Sequence, residues 1–357
     1  MIMGMIGSKF GIFRITFRRS AFRRACTGAA LGLLTAATLA QADPVENFYK
    51  GKNLQFLVGV SAGGGYDLQM RLVARHIVRF IPGNPTPVPQ NMTGATGLVM
   101  ANYLYRVAPR DGTAIGLIQN GLPTYQAVGK EGVQFNARQF QWIGALTPTT
   151  ETMITWKTTG VHTIAEARTK EIIAGSNGTS GITYIYPVML NDLAGTKFKM
   201  ITGYPGSSAL NLAMERGEVE ARNNSWDSIK STKPNWIANK DVSILVYSGL
   251  KPDELKSVPE LDDVIPNAED RLVARIVTTG NRMGYPFTVM PGVPAERVAA
   301  LRSAFVAMTK DPEFLKEAAA AQIDVNPISP QRMHETIEAL FAAPDPLKLR
   351  ARKYFEQ

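Results

Sequence analysis

Residues 53–80 set what this chain can become: an apolar run, Leu54-Gln55-Phe56-Leu57-Val58-Gly59-Val60, then Ser61-Ala62-Gly63-Gly64-Gly65-Tyr66-Asp67, then a periodic segment from Leu68 onward. The run is short, rich in β-formers and bounded by Lys52-Asn53 on one side and three glycines on the other, as a buried parallel strand is. Beyond the loop, Leu68, Leu72, Val73, Ile77 and Phe80 share one face of a helix, and Arg71, Arg75 and Arg79 follow at steps of four on another. Asp67 falls in the first turn, where a carboxylate complements the helix dipole.

Three glycines in a row remove every Cβ, so a ligand can approach the main chain and successive N–H groups can turn inward as an anion-binding nest. Ahead of a helix N-terminus such donors suit a carboxylate or phosphate. The other reading is a tight βα turn with no ligand. Nucleotide motifs do not fit: Gly63 and Gly65 lack the third glycine of a dinucleotide fingerprint, and no Lys-Ser or Lys-Thr closes a phosphate loop.

Residues 1–42 read as a secretory signal peptide. Lys9, Arg14, Arg18, Arg19, Arg23 and Arg24 stand without an acidic residue, and the apolar run 29–40 ends in Ala40-Gln41-Ala42, an A-x-A site cut after Ala42. Export is therefore expected, by the general route or, on Arg18-Arg19 and Arg23-Arg24, the twin-arginine one. Without those six basic residues the net charge falls from +9 to +3, leaving 33 basic against 30 acidic residues. No basic stripe with interleaved aromatics remains, which argues against nucleic acid as a partner. The single cysteine, Cys26, lies ahead of the apolar run, so the mature chain is expected to lack disulfides, thiol nucleophiles and cysteine metal sites. The length suits two domains better than one core.

The strand, loop, helix order recurs. An extended proline-rich path at 81–89 leads to Asn91 and Gly94, then to a helix near Leu98 and a strand at 114–118. Asn91 and Gly94 can join a ligand cleft or be turn residues only. Further strands are expected at 140–146, 152–156, 171–174 and 197–202. Two of these feed loops, Gly175-Ser176-Asn177-Gly178-Thr179-Ser180-Gly181 and Gly203-Tyr204-Pro205-Gly206-Ser207-Ser208, each followed by a helix. In open α/β sheets ligands gather at the carboxyl ends of strands, where all these loops would lie.

The succession Ala62-Gly63-Gly64-Gly65-Tyr66-Asp67, Asn91 with Gly94-Ala95, Ala108-Pro109-Arg110-Asp111-Gly112-Thr113, Gly178-Thr179-Ser180-Gly181, Tyr204-Pro205-Gly206-Ser207 and Gly217-Glu218-Val219-Glu220 resembles the substrate-binding proteins of tripartite tricarboxylate transporters, the TctC or Bug family. Ser257-Val258-Pro259-Glu260 and Met290-Pro291-Gly292-Val293-Pro294-Ala295 continue the resemblance, which runs from about Asn53 to Phe341 and rests on order and spacing.

The resemblance implies an α/β, two-lobed periplasmic-binding-protein (Venus-flytrap) fold, each lobe a mostly parallel sheet flanked by helices. Residues 43–146 and a return segment over 246–357 form one lobe and 147–245 the other. It implies a small organic carboxylate held between the lobes, no cofactor, a monomer, and delivery to the permease subunits of a membrane transporter. Carried over residue by residue, the ligand-binding set is Ala62, Gly63, Gly64, Gly65, Tyr66, Asp67 and Asn91 on one lobe, and Ser176, Thr179, Ser180, Tyr204, Gly206 and Ser207 on the other. Two positions depart from the family pattern: Ala62 replaces a usual proline, and Gly203-Tyr204-Pro205-Gly206 replaces the commoner Pro-Tyr-Lys-Gly. Beyond those loops, Arg222, following an expected strand, can pair with a second carboxylate or be solvated; Trp226 can cover an apolar ligand body or sit in the core.

Catalysis finds little support. His76, His162 and His334 are too scattered for a metal pair, His76 reads as solvated in its arginine-rich helix, and no Gly-x-Ser-x-Gly elbow occurs. A sensory binding protein that feeds a membrane signalling receptor is the alternative, since it needs the same closure of two lobes on a ligand.

Overall fold

The structure, a computed structural model, describes residues 43–356. The expected signal peptide and Cys26 lie outside the described residues.

Among the described residues ten strands build two five-stranded sheets. The first holds β1 (Asn53–Val58), β2 (Thr86–Asn91), β3 (Ala114–Leu117), β4 (Gln141–Gly144) and β10 (Phe287–Val289) in the order β2-β1-β3-β10-β4. The second holds β5 (Thr150–Trp156), β6 (Ile172–Gly175), β7 (Phe198–Ile201), β8 (Ala221–Ser225) and β9 (Val242–Gly249) in the order β7-β6-β8-β5-β9. In each sheet four strands run in one direction, three of them paired side by side through crossover helices, and a single strand runs against its two neighbours, β10 in the first sheet and β5 in the second. Such crossovers must be long, which is why the parallel members are the helix-separated ones.

β1 is apolar on both faces because helices cover both: Leu54, Phe56, Leu57 and Val58 are buried. The proline-rich segment is a strand, not merely an extended path. Thr86 N and Met92 N donate to Lys52 O and Val58 O, both at 2.8 Å, so alternate N–H groups face β1. Pro87 and Pro89 take the outward positions of this edge strand, where a missing donor costs nothing.

The chain passes from the first sheet to the second between β4 and β5, and back between β9 and β10. β9 keeps to the second sheet through Gly249, so the return begins only beyond it. Asn281 ties the crossing: its Nδ2 donates to Ser248 O at 3.0 Å and its carbonyl accepts from Thr149 N at 2.9 Å.

The helix after the first loop spans Gly65–Ile77, three residues earlier than the apolar period suggests. Its arginine face is a clamp. Arg75 pairs with Glu317, and Arg79 with Asp311 and Glu313, around the C-terminal helix Pro312–Ala320. His76 is not solvated: it is buried, bonded to Glu317 and edge-on to Phe314 with ring centroids 5.4 Å apart. The expectation failed because the apolar stripe of this helix is wider than its period suggested, and the partner helix covers it. Among the described residues no helix is long and apolar enough to cross a membrane.

Candidate functional site

Between the two sheets lies a cavity of about 320 Å³, lined by loops from both. Three helices begin on it, Gly65–Ile77, Ile182–Ala194 and Ser207–Glu215. Their N-cap residues are Gly64, Gly181 and Gly206, none of which has a side-chain cap. A serine, threonine or aspartate would normally accept from the first-turn N–H groups. Here no side chain takes them, although Tyr184 N donates to Gly181 O at 2.9 Å, and the dipoles of all three helices favour an anion.

The first loop is braced from behind. Asp67 is buried, and its carboxylate accepts from Gly63 N at 2.9 Å, Arg71 Nε at 3.0 Å and Asn91 Nδ2 at 2.9 Å. Burial pushes this carboxyl up, but bonds from Arg71, Gly63 and Asn91 outweigh it and hold the group below the usual carboxylate range. Asn91 also donates to Val60 O at 2.9 Å. Gly63 has φ +87, a conformation that favours glycine and that turns its N–H onto Asp67.

Across the cleft the loops touch. Ser61 Oγ donates to Pro205 O at 3.2 Å. A Cβ on Gly206 would come within 1.9 Å of Ser61 Oγ, one on Gly63 within 2.9 Å of Ser208 Oγ, and one on Gly64 within 3.4 Å of Ser207 Cβ. Gly181 likewise abuts Thr96, whose Cγ2 would stand 2.9 Å from an added Cβ. The glycines let the two sides of the cleft approach closely beside the cavity.

Arg222 projects from within β8, not from the loop after a strand. It is fully buried and donates from Nη1 to Ser207 O (3.0 Å) and Asn211 Oδ1 (2.6 Å), from Nε to Asn223 O (3.0 Å) and from Nη2 to Ser207 Oγ (3.3 Å). All these acceptors are neutral, and among the described residues its guanidinium makes no ion pair. Burial pulls it down to about 9, with the field of Glu151 opposing. A buried cation without a counter-ion, lining a cavity, is chemically a receptor for an anion.

Of the expected site residues, Gly64, Gly65, Tyr66, Tyr204, Gly206, Ser207 and Arg222 line the cavity. Tyr66 OH accepts from Asn120 N at 3.0 Å, and its ring meets Tyr285 edge-on at 4.4 Å. Gly63, Asp67 and Asn91 stand one layer behind as the brace. Ala62 is exposed on the outer side of the loop. Ser176, Thr179 and Ser180 do not line the cavity: Ser176 is buried, and Ser180 O accepts from Tyr125 OH. Trp226 does not line the cavity; it packs with Ile154, Trp236 and Tyr247 in the second core.

The sequence reading missed the polar floor. Glu151, Asn223, Asn224 and Ser225 line the cavity and are buried, as are Thr149 and Asn281. All five residues of β8 are buried although four are polar, in the central strand of the sheet. A strand reading built on apolar alternation passes over Arg222-Asn223-Asn224-Ser225, yet such a run between a glycine turn and a helix is itself a signal, because burying it demands partners. Phe355, at the end of the chain, also lines the cavity and packs edge-on against Tyr125 at 5.4 Å.

No protein-family model matches the chain. A curated relative, the UPF0065 protein in the TAR-I ttuE-ttuC' intergenic region of Agrobacterium vitis, is 24% identical over 237 residues, which cover 65% of this chain and 66% of that protein. Among solved structures, the periplasmic binding protein BugD superposes with a TM-score of 0.66 at 18% identity, over 86% of this chain and 98% of BugD. The fold is that of the Bug and TctC periplasmic binding proteins. An R. palustris protein solved with adipate gives 0.66 at 18% identity, over 84% of this chain and 97% of its own, and MatC of Rhodopseudomonas palustris with bound malate gives 0.65 at 14%, over 85% and 99%. The Bug-type fold accounts for the two lobes and for a cleft that takes strand ends from both.

Proposed function

We propose that this chain is a periplasmic solute-binding protein that captures a small organic carboxylate between its lobes and hands it to the permease subunits of a tripartite tricarboxylate-type transporter. We take the lobes as 43–146 with the return segment, and 147–249. The observation that carries the reading is Arg222: a buried guanidinium bonded only to neutral acceptors, beside three helix N-termini whose glycine caps offer no side-chain acceptor of their own. The similarity to folds solved with adipate and malate supports a carboxylate as the anion. Export through residues 1–42 would place the protein where such a transporter collects its cargo.

Capture works by closure. Residues from both lobes reach a ligand in the cavity only when the glycine loops meet, so binding favours the closed state by its differential contacts. The solved structures it resembles are binding proteins, which supports release of the ligand unchanged. Titration calorimetry of the protein against mono-, di- and tricarboxylates, with recovery of the acid afterwards, tests this. One acid bound and recovered intact supports the proposal; an acid consumed, or none bound, contradicts it.

A further inference from the structure

Capture of a bare anion leaves one group in the cleft unexplained. Glu151, at the start of β5, is buried and lines the same cavity as Arg222. The two do not pair. The Glu151 carboxylate takes its hydrogen bond from Asn223 Nδ2 at 3.0 Å, and Asn223 Nδ2 gives its other hydrogen to Thr152 O at 3.1 Å. Asn223 Oδ1 is thereby left as a buried acceptor with no protein donor. Behind them Asp227, on the helix Trp226–Thr232, is a second buried acid. The other titratable groups whose charge bears on this cluster are Lys230 and Asp324, which face Asp227, and the hydroxyls of Tyr66, Tyr186 and Tyr285. A cleft made only for carboxylate would not set a carboxylate of its own in the wall, since like charges repel most where water is excluded.

Resting on the carboxylate-capture reading, we propose that the ligand also carries an amino group, its carboxylate meeting Arg222 and the helix N-termini and its ammonium meeting Glu151. The charges then close: the zwitterion adds one charge of each sign beside a wall group of the opposite sign, whereas a simple dicarboxylate would bring two further negative charges to a site with one cation. A ligand hydroxyl would offer Glu151 a single neutral hydrogen bond and no counter-charge. An ammonium has three donors and a charge to match the carboxylate. Burial pushes the empty site's Glu151 up to about 7, so a cationic ligand is what would settle it in the ionised form.

The test is calorimetric titration with matched pairs that differ only in the amine: aspartate and succinate, glutamate and glutarate, phenylalanine and 3-phenylpropionate, alanine and propionate. In at least one pair the amino member should bind roughly tenfold or more tightly, the scale of a hydrogen-bonded charge pair. Glu151→Gln, shown to be folded by its unfolding transition, should bring that pair to within about twofold. If that variant does not fold, Glu151→Asp, which keeps the charge but draws it back by one methylene, should narrow the ratio instead. Binding of the deaminated members as tightly as their amino partners in wild-type protein, or a preference that survives the variants, overturns this inference and leaves carboxylate capture standing. No binding by any member overturns both.

Discussion

Ser61 Oγ and Pro205 O, one from each of two glycine loops that face each other across the cleft, are 3.2 Å apart and hydrogen-bonded, so the loops meet there. The contact exists because Gly206 has no side chain: a Cβ there would sit 1.9 Å from Ser61 Oγ. Gly206 is extended, so a larger residue meets no backbone strain, only the opposing loop.

Gly206→Val should therefore act on closure and not on folding. Ligand affinity should fall by roughly tenfold or more, while the unfolding midpoint of the unliganded protein stays within about 2 °C of wild type. Calorimetric titration and thermal unfolding on the same sample read both quantities.

Arg222→Met removes the buried cation and keeps its bulk. Truncating a desolvated charge that meets its partner in a complex costs about 2 to 5 kcal/mol, so affinity for a carboxylate should fall by about thirtyfold or more. The acceptors on Ser207, Asn211 and Asn223 lose their donor, so the unliganded variant should also unfold a few degrees below wild type, and its affinity is read below that transition. Loss of stability with retained affinity would show Arg222 to be scaffold.

Asp67→Ala tests the brace. Gly63 N and the amide of Asn91 would lose their acceptor, and the cost should be about 2 kcal/mol or more of unfolding free energy in denaturant titration. Because this carboxyl is held below its ordinary value, its contribution is present above the unfolded-state value and is lost as pH falls through the folded one. The gap between wild type and variant should shrink in acid.

Glu151 carries the opposite sign. Its carboxyl rises from 4.5 to about 7 through burial. Below 4.5 the group is protonated folded or unfolded; between 4.5 and about 7 the native state holds a proton that the unfolded chain has released, so stability declines across that window. The loss is about 3 kcal/mol. Glu151→Gln should not show that decline, so its melting temperature should match wild type near the acid end and exceed it increasingly toward pH 8 in unliganded protein.

Much of the fold was legible because its signals are local. The apolar run 54–60 and the glycines after it give β1 and its loop, and the alternation of strands, glycine turns and helices gives the α/β class. The helix start at Gly65 was read three residues late, since Gly65 and Asp67 in the first turn carry no apolar period, and that turn is what faces the cavity. The floor was illegible for a related reason. Glu151 lies at the start of β5 and Asn223 in the middle of β8, and neither residue type marks a strand. Trp226 was drawn toward the site by Arg222, yet four positions further along, just past the end of β8, it belongs to the helix Trp226–Thr232 and to the core. Phe355 reaches the cavity from beyond the span of family resemblance, so no motif pointed to it.

The most direct test is a thermal-shift screen of the protein against mono-, di- and tricarboxylates and amino acids, repeated with Arg222→Met. A ligand at about 100 times its dissociation constant adds roughly 2.7 kcal/mol and raises the melting temperature by several degrees. The account predicts such a shift for a carboxylate-bearing ligand in wild type, its loss in the variant, and recovery of the ligand unchanged. No shift across the panel, or an equal shift in both proteins, would contradict it.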